Sequence, residues 1–213
     1  MSVPAAVALA ASLAARDHGG IVGYRIHRTV DMAAGPIRRH EDVALAVVFQ
    51  NDRLVRVRVL SDTVSGHSTG TDAQKALERQ LLSASKDPGF AVPFDARHFR
   101  EYTYKVQGNL VAFSSPLKDA RHADGFFVLG SGGAVTQLQY ALNVLPKYAT
   151  AGTVHEERAE VLPNFWATVR STQLFEGRYA IFSGRGEFVT VDSDFHRFGT
   201  VDAATAWLQA ERP

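Results

Sequence analysis

The chain has 213 residues, of which 46% are hydrophobic and 21% charged, and it contains no cysteine. These values are usual for a folded globular protein, and they exclude a disulfide framework, a thiolate nucleophile and a cysteine-ligated metal. The 23 basic and 22 acidic side chains give a net charge of +1, which offers no electrostatic basis for binding nucleic acid. Since no linker is apparent, we predict a single domain over residues 1–213.

The first segment, residues 1–19, allows two interpretations. A run of Ala, Val and Leu from Val3 to Ala15 is followed by Gly19-Gly20, a pattern typical of an alanine-rich amphipathic helix that ends at glycine. The small residues Ser12-Leu13-Ala14 also resemble the end of a secretory signal, although the usual positive charge at the start is missing. The run is too short to span a bilayer. We favour the helix and leave a signal remnant open.

An apolar hairpin is predicted after a first strand at Val22–Val30. Two apolar stretches flank Asn51-Asp52, which is a typical two-residue turn, and this loop length puts Phe49 opposite Leu54. Simple alternation then gives two apolar faces. One face is predicted to carry small side chains: Ala44, Ala46, Val48, Val55, Val57 and Val59. The other is predicted to carry Val43, Leu45, Val47, Phe49, Leu54, Arg56 and Arg58.

A helix is predicted to begin with the capping box Thr71–Gln74 and to present Leu77 and Leu81 on its apolar face. This helix could cover one face of the hairpin. Asp202 is expected to cap a last helix. Further strands are predicted at 101–106, 110–113, 126–129, 135–144, 153–162, 169–175, 178–183 and 187–195. Because helices and strands do not alternate, the pattern predicts an α+β fold with about ten antiparallel strands and three helices.

Three polar side chains alternate near the end of the chain: Asp192, Asp194 and His196. Alternation would place all three on one face of a strand. Two carboxylates and an imidazole can bind a divalent metal or act as acid and base, so a metal-dependent enzyme is one alternative. The same pattern is typical of a solvated strand face, which we favour.

A glycine-rich loop, Gly130–Gly133, follows an apolar stretch and could open a nucleotide-binding helix. The residues after it alternate, however, with Leu138 and Tyr140 among them. This alternation favours a β-hairpin around the loop.

Two stretches resemble parts of a known superfamily. They are Ala123–Leu129 with the hairpin after it, and Phe175–Phe198, which is similar to closing strands that end near an Arg-Phe pair. On these residues the chain resembles the bacterial lipoprotein carriers of the LolA type, the mycobacterial LppX and LprG lipoproteins, and the lipid-sensing RseB and MucB domains. The resemblance implies a single curved antiparallel sheet, a half-barrel, with helices packed on its concave side.

The function that this resemblance implies is non-enzymatic binding of a lipid or lipoprotein acyl chain outside the bacterial cytoplasm, with no cofactor and possible contact with a membrane-associated partner protein. An apolar sheet can supply the affinity, because burying hydrocarbon contributes about 0.8 kcal/mol per methylene. The predicted ligand-lining residues are Ala44, Ala46, Val48, Val55, Val57 and Val59, with Leu77 and Leu81 as a plug. Two alternatives stay open: an ordinary close-packed core at these positions, and a protein-interaction or sensor module with a filled interior.

Overall fold

The computed structural model describes residues 3–17, 19–86, 89–145, 147, 149–179 and 182–212. This part of the chain contains the helices α1 (Ala5–Asp17), α2 (Thr71–Ala84) and α3 (Val201–Ala210). None of its helices is long and apolar enough to cross a membrane. Its strands are β1 (Ile21–Ala34), β2 (Ile37–Gln50), β3 (Arg53–Val64), β4 (His67–Ser68), β5 (Thr103–Gln107), β6 (Leu110–Ser114), β7 (Ala123–Leu129), β8 (Val135–Leu142), β9 (Ala149–Leu162), β10 (Phe165–Tyr179) and β11 (Phe182–Phe198).

The three predicted helices are present, with small differences at their ends. Of the predicted segment 1–19, residues 1, 2 and 18 lie outside the described part. Thr71 is the first residue of α2 rather than its cap, since the helix starts after Gly70 without a side-chain cap. The hydroxyl of Thr200 caps α3 by accepting a hydrogen bond from the backbone N–H of Ala203 at 3.2 Å, two residues before the predicted cap at Asp202.

All eleven strands form one sheet in the order β4-β3-β2-β1-β11-β10-β9-β8-β7-β6-β5. Every pair of neighbours is antiparallel. Strands that follow each other in the chain pair as hairpins on either side, and β1 and β11 pair in the middle. The predicted fold class, an α+β half-barrel with a single curved antiparallel sheet, is confirmed.

The helices cover both faces of this sheet. We call the face covered by α1 and α2 the inner face, and the face covered by α3 the outer face. Strand pairing links the two inner helices, because Val154 beneath α1 and Leu45 beneath α2 point to the same side through the registers of β9, β10, β11, β1 and β2. On the outer face α3 packs through Ala204 and Leu208 on Val48.

Two long C-terminal strands replace the three shorter ones expected between 169 and 195. The sequence prediction put breaks at Gly177 and near Gly184 and Gly186, but all three glycines lie inside β10 and β11. Glycine inside a strand often marks a close approach by another group. Here other groups do approach closely: a Cβ atom on Gly184 would lie 2.8 Å from the carbonyl oxygen of Ala33, and one on Gly186 would lie 3.1 Å from the ring of Phe188.

Candidate ligand-binding face

The inner face carries two separate apolar clusters. Beneath α1, Phe127 and Leu138 are almost completely buried, and Phe94 packs edge-on against Phe127 with ring centroids 5.5 Å apart. Beneath α2, the buried residues are Val43, Leu45, Val47, Val57 and Val59. The middle strands of the sheet separate the two clusters, and this is where the polar residues of the inner face lie.

The eight predicted ligand-lining residues do not share one face. Asn51 and Asp52 form the predicted two-residue turn, with φ angles of 48° and 64°, and Phe49 pairs with Leu54. A β-bulge follows at once, because Val48 pairs with Arg56 rather than with Val55 as alternation predicts. The extra residue moves the side chains of Val57 and Val59 to the opposite face, and a second bulge at Leu60 restores the original alternation for the rest of β3.

The bulge therefore divides the predicted set, and the prediction of one small-residue face is wrong. Ala44, Ala46, Val48 and Val55 belong to the outer face, where Ala46 and Val48 are fully buried beneath α3. Arg58 is also on this side and donates to the carbonyl oxygen of Gln209 at 2.6 Å, at the end of α3. Val57 and Val59 lie on the inner face with Leu77 and Leu81 of α2. A ligand-binding role for these eight residues stays a prediction.

A second bulge separates the Asp-x-Asp-x-His residues. In the pairing of β1 with β11, Gly23 lies opposite His196 but Arg25 lies opposite Ser193, and Asp194 adopts a left-handed φ of 57°. Asp194 and His196 therefore meet on the outer face, 3.0 Å apart, whereas Asp192 is on the inner face. The prediction that the three share a face is wrong. Within the described ranges, no group of three or more His, Cys, Asp or Glu side chains could hold a metal ion.

Two carboxyl groups lie in the middle of the inner face. Glu156 accepts a hydrogen bond from the hydroxyl of Thr168 at 3.2 Å and another from Tyr140. Burial raises the pKa of Glu156, and Arg158 and these hydrogen bonds only partly oppose that effect. Burial, together with the charge of Glu156, raises the pKa of Asp192 to about 7.

Asp192 is the less satisfied of the two acids, because its buried Oδ1 atom has no hydrogen-bond partner. The nearby ring of Tyr24 stacks between Phe49 and Phe195, with centroid distances of 5.6 and 4.8 Å. Burial and the charge of Asp192 raise the pKa of Tyr24. A carboxyl group is therefore held against an aromatic stack where its ionised form is disfavoured.

An apolar groove opens on the same face at the end where β1 turns into β2 and β10 approaches β11. Its volume is about 470 Å³. The apolar residues that line it are Met32, Ala33, Ala34, Ile37, Ala149, Phe175 and Phe188. A groove of this size is within the range of small-molecule binding sites.

Glycine residues, which have no side chain, form much of the floor of this groove. On the inner face, the strand register places Ile37, Ala34, Gly184 and Gly177 in one row, and Arg39, Met32, Gly186 and Phe175 in the next. A Cβ atom on Gly152 would lie 2.7 Å from the ring of Phe175, and one on Gly186 would lie 3.1 Å from the ring of Phe188. The glycines thus let two aromatic rings lie against the backbone, with open space between them and the turn.

Another cluster of titratable groups lies away from the groove and has a structural role. His122 is 2% exposed and makes hydrogen bonds of 2.7 Å to both Asp119 and Glu101. Although burial lowers the pKa of His122, the two carboxylates outweigh this and raise it. His98 also contacts Glu101 at 3.1 Å, so the cluster fastens the segment before β5 to the start of β7.

Comparison with known proteins gives structural resemblances but no family assignment. No family model matches the chain, and no curated protein does. A DUF1329 family protein from Desulfovibrio piger is 13% identical, with a TM-score of 0.42 over 93% of this chain and 95% of that one. A LolA superfamily protein from Nitrosomonas europaea is 9% identical, with a TM-score of 0.36 over 95% of this chain and 97% of that one.

MucB in its complex with MucA from Pseudomonas aeruginosa is a further similar structure. It is 10% identical, with a TM-score of 0.26 over 92% of this chain and 100% of that one. A LolA superfamily protein and MucB, both named above from the sequence, are thus among the solved structures that the chain resembles.

The groove is not among the features predicted from the sequence, although the sequence contains a signal for it. Gly177, Gly184 and Gly186 alternate with other residues close to Phe175 and Phe188, so one strand face combines glycine with aromatic rings. The predicted strands 169–175, 178–183 and 187–195 leave these glycines in the breaks between them. Their even spacing, which keeps Gly184, Gly186 and Phe188 on one face, is the feature that could have indicated a depression in a continuous sheet.

Proposed function

We propose that this protein binds the hydrocarbon chain of a lipid or lipoprotein without chemical conversion, as a carrier or a lipid sensor. The observation that carries the proposal is the 470 Å³ apolar groove on the inner face. Side chains of Phe175 and Phe188 would contact the hydrocarbon, and the glycine and alanine floor would leave room for it. Such a site needs no catalytic group, because removal of hydrocarbon from water supplies the free energy.

The cluster beneath α2 would extend this apolar surface. Val57 and Val59 lie on the same face as the groove, and they are buried beneath Leu77 and Leu81, which are themselves only partly buried. No residue of α2 is buried, so this helix is bound less firmly to the sheet than α3 is. These four predicted lining residues therefore remain in the proposed site. Movement of α2, which carries Leu77 and Leu81, would expose Val57 and Val59 as part of its wall.

Affinity is expected to depend on chain length. In a series of octanoate, decanoate and dodecanoate, each added methylene should lower the Kd about fourfold, because each contributes about 0.8 kcal/mol. Isothermal titration calorimetry measures this directly, at concentrations below micelle formation. A Kd that does not change with chain length would contradict hydrocarbon binding.

Filling the groove should weaken binding without unfolding the protein. Ala34 points into the groove from the inner face, so Ala34→Phe is expected to weaken dodecanoate binding about tenfold or more. The matched control is Ala151→Phe, because this exposed side chain lies on the outer face opposite Glu176 and is not among the residues that line the groove. Equal losses in the two variants would argue against this groove as the site.

We further propose that binding takes place outside the bacterial cytoplasm and that the lipid-bound form meets a membrane-associated partner protein. The resemblance to LolA and MucB domains supports both proposals. Fractionation of the producing bacterium tests the first of them. Recovery of the protein only with cytosolic markers would contradict it.

A protein-interaction module is a second candidate. Two large apolar side chains near the groove end are exposed, Ile37 at 63% and Leu174 at 48%, and they lie on opposite faces of the sheet. Native mass spectrometry of gently purified protein separates the two candidates. Co-purified lipid supports the carrier, and a lipid-free protein that gains no mass from added dodecanoate supports the interaction module.

A further inference from the structure

We propose that the outer face of the sheet carries a phosphate-binding site, formed by Arg38, Arg178 and Arg185 around the small side chain of Ala33. This site lies on the opposite face from the apolar groove, so it does not depend on the proposed function. The phosphate group can belong to a soluble monoester or to a lipid head group, and vesicle binding distinguishes these two sources.

The strand register brings the three arginines to one face. Arg38 of β2 and Arg185 of β11 both pair with Ala33 of β1, which lies between them, so their Cα atoms are about 10 Å apart. Arg178 of β10 is two residues from Glu176, the partner of Arg185, and alternation keeps it on the same face. Arginine side chains from three strands can therefore converge over a residue that has only a methyl group.

Open space lies above Ala33. A depression of about 590 Å³ is lined there by the three arginines, by Thr150 and Ser183 with their hydroxyl groups, and by one carboxylate, Glu176. Hydroxyl groups can donate hydrogen bonds to phosphate oxygens. Among the described residues that line the depression there is no large apolar side chain, so it suits a compact charged group and not a hydrocarbon chain.

The arginines are not neutralised by carboxylates of the protein. In the described part of the chain none of the three makes an ion pair, although Glu176 lies directly opposite Arg185 in the strand pairing. Nη1 of Arg38 donates to the carbonyl oxygens of Gly35 at 2.7 Å and Ile37 at 3.0 Å. These bonds hold one guanidinium group beside the β1–β2 turn and leave its Nε and Nη2 atoms available to a ligand.

The positive charge is greatest at the turn end of the depression. Two further carboxylates on the outer face, Asp31 and Glu187, lie one row farther from the turn. Asp31 is compensated by a hydrogen bond of 2.8 Å to His40. The row of Arg178, at the turn end, pairs it with a serine and not with an acid.

A phosphate monoester matches this arrangement in charge and in geometry. Such a group carries close to two negative charges at neutral pH and presents three acceptor oxygens. A guanidinium group binds phosphate with two parallel hydrogen bonds, so arginines on neighbouring strands can contact different oxygens of the same group.

Glycerol 3-phosphate is the probe for a soluble monoester, and titration calorimetry at about 50 mM NaCl, where screening is weak, measures its Kd. Arg178→Gln/Arg185→Gln is expected to bind it about tenfold more weakly than the wild type, the order expected for the loss of two partly exposed ion pairs. The control Arg53→Gln/Arg56→Gln removes the same charge near the turn at the other end of β2 and β3, and it should keep the wild-type Kd. The thermal unfolding midpoint of each variant verifies that it is folded.

The variant Glu176→Gln should change the affinity in the opposite direction. It removes the one carboxylate that lines the depression, so glycerol 3-phosphate is expected to bind about threefold more tightly. Damage to the fold would weaken binding whichever charge is removed. Opposite effects of the arginine and glutamate variants therefore identify an electrostatic contact with the ligand.

Vesicles of phosphatidylcholine, with and without phosphatidic acid, test the lipid source. Phosphatidic acid presents a phosphate monoester at the membrane surface. Co-sedimentation with the phosphatidic acid vesicles alone, reversed by glycerol 3-phosphate, would support the site and assign it to a lipid head group. Binding of glycerol 3-phosphate without co-sedimentation would support the site and assign it to a soluble ester.

Three results would overturn the inference. The first is that neither glycerol 3-phosphate nor the phosphatidic acid vesicles bind. The second is equal binding by the wild type and Arg178→Gln/Arg185→Gln, which would place the phosphate elsewhere. The third is a tetraglutamate peptide that binds as tightly as glycerol 3-phosphate, which would show only a general attraction of anions to basic side chains. None of these results bears on hydrocarbon binding, which is measured separately with dodecanoate.

Discussion

Replacing Gly125 with alanine is expected to destabilise the protein by about 3 kcal/mol or more. Gly125 lies in β7 opposite Tyr140 of β8. A Cβ atom there would be 2.1 Å from the backbone oxygen of Gln139 and 2.7 Å from the Cα atom of Tyr140. Both contacts are with backbone, so they cannot be relieved by rotating a side chain, and the two strands would have to separate beneath α1.

Urea unfolding followed by circular dichroism measures this effect. The matched control is Gly132→Ala in the neighbouring β7–β8 loop, where a Cβ atom would meet nothing within 4 Å. That change is expected to alter the free energy of unfolding by less than about 0.5 kcal/mol. Equal urea midpoints for the two variants would show that β7 and β8 are not as closely paired as described.

Replacing Asp192 with asparagine is expected to stabilise the protein at neutral and alkaline pH by about 2–4 kcal/mol. Burial and the charge of Glu156 raise the pKa of Asp192 to about 7, compared with about 3.9 in an unfolded chain. Between these two values the native state binds more protons than the unfolded state. The free energy of unfolding of the wild type must therefore fall as the pH rises from 4 through 7.

Asparagine has the shape of the carboxyl group and does not ionise, so Asp192→Asn should not lose this part of its stability. The difference between variant and wild type is expected to be large at pH 8 and to disappear near pH 4, where both side chains are neutral. Urea midpoints at pH 4, 6 and 8 measure it.

The control for this experiment is Asp194→Asn, two residues along the same strand. Asp194 is about half exposed on the outer face, where it lies 3.6 Å from Arg25, and asparagine tolerates its left-handed φ. We expect a change below about 1 kcal/mol for this exposed ion pair. A constant effect of Asp192→Asn from pH 4 to pH 8 would mean that Asp192 has an ordinary pKa and is not buried as described.

Much of the architecture is predictable from local sequence, because hairpins and amphipathic helices leave clear patterns. The turn at Asn51-Asp52 fixes the pairing of Phe49 with Leu54, and both features are confirmed. The loop Gly130–Gly133 joins two strands, as the alternation after it indicates, and the N–H of Gly130 donates to the carbonyl oxygen of Ala134 at 2.8 Å. In each case the residues that decide the structure are neighbours in the chain.

The distribution of side chains between faces was not predictable, because two bulges reverse it. One extra residue at Val55 sends Val57 to the inner face, and one at Asp194 separates His196 from Asp192. Nothing in the composition of either strand identifies a bulge. The partner strand selects its position, and that partner is remote in sequence for β11.

The candidate site was not predictable either, because it also depends on strands that are remote from one another in sequence. Its floor combines Ala34 of β1, Phe175 of β10 and Gly184 of β11, which meet only when the two ends of the chain pair. Pattern analysis of one strand at a time could indicate an apolar wall. It could not show which strands place their glycines in one row.

The pairing of β1 with β11 has a consequence for truncated forms of the protein. In most sheets a terminal strand is an edge, and its removal narrows the sheet by one strand. Here a premature stop codon before β11 would divide the sheet in its middle, into one piece of four strands and another of six. Each piece would expose a new unpaired edge strand. The last strand, β11, is therefore the element that joins the two groups of hairpins, β1–β4 and β5–β10, into one sheet.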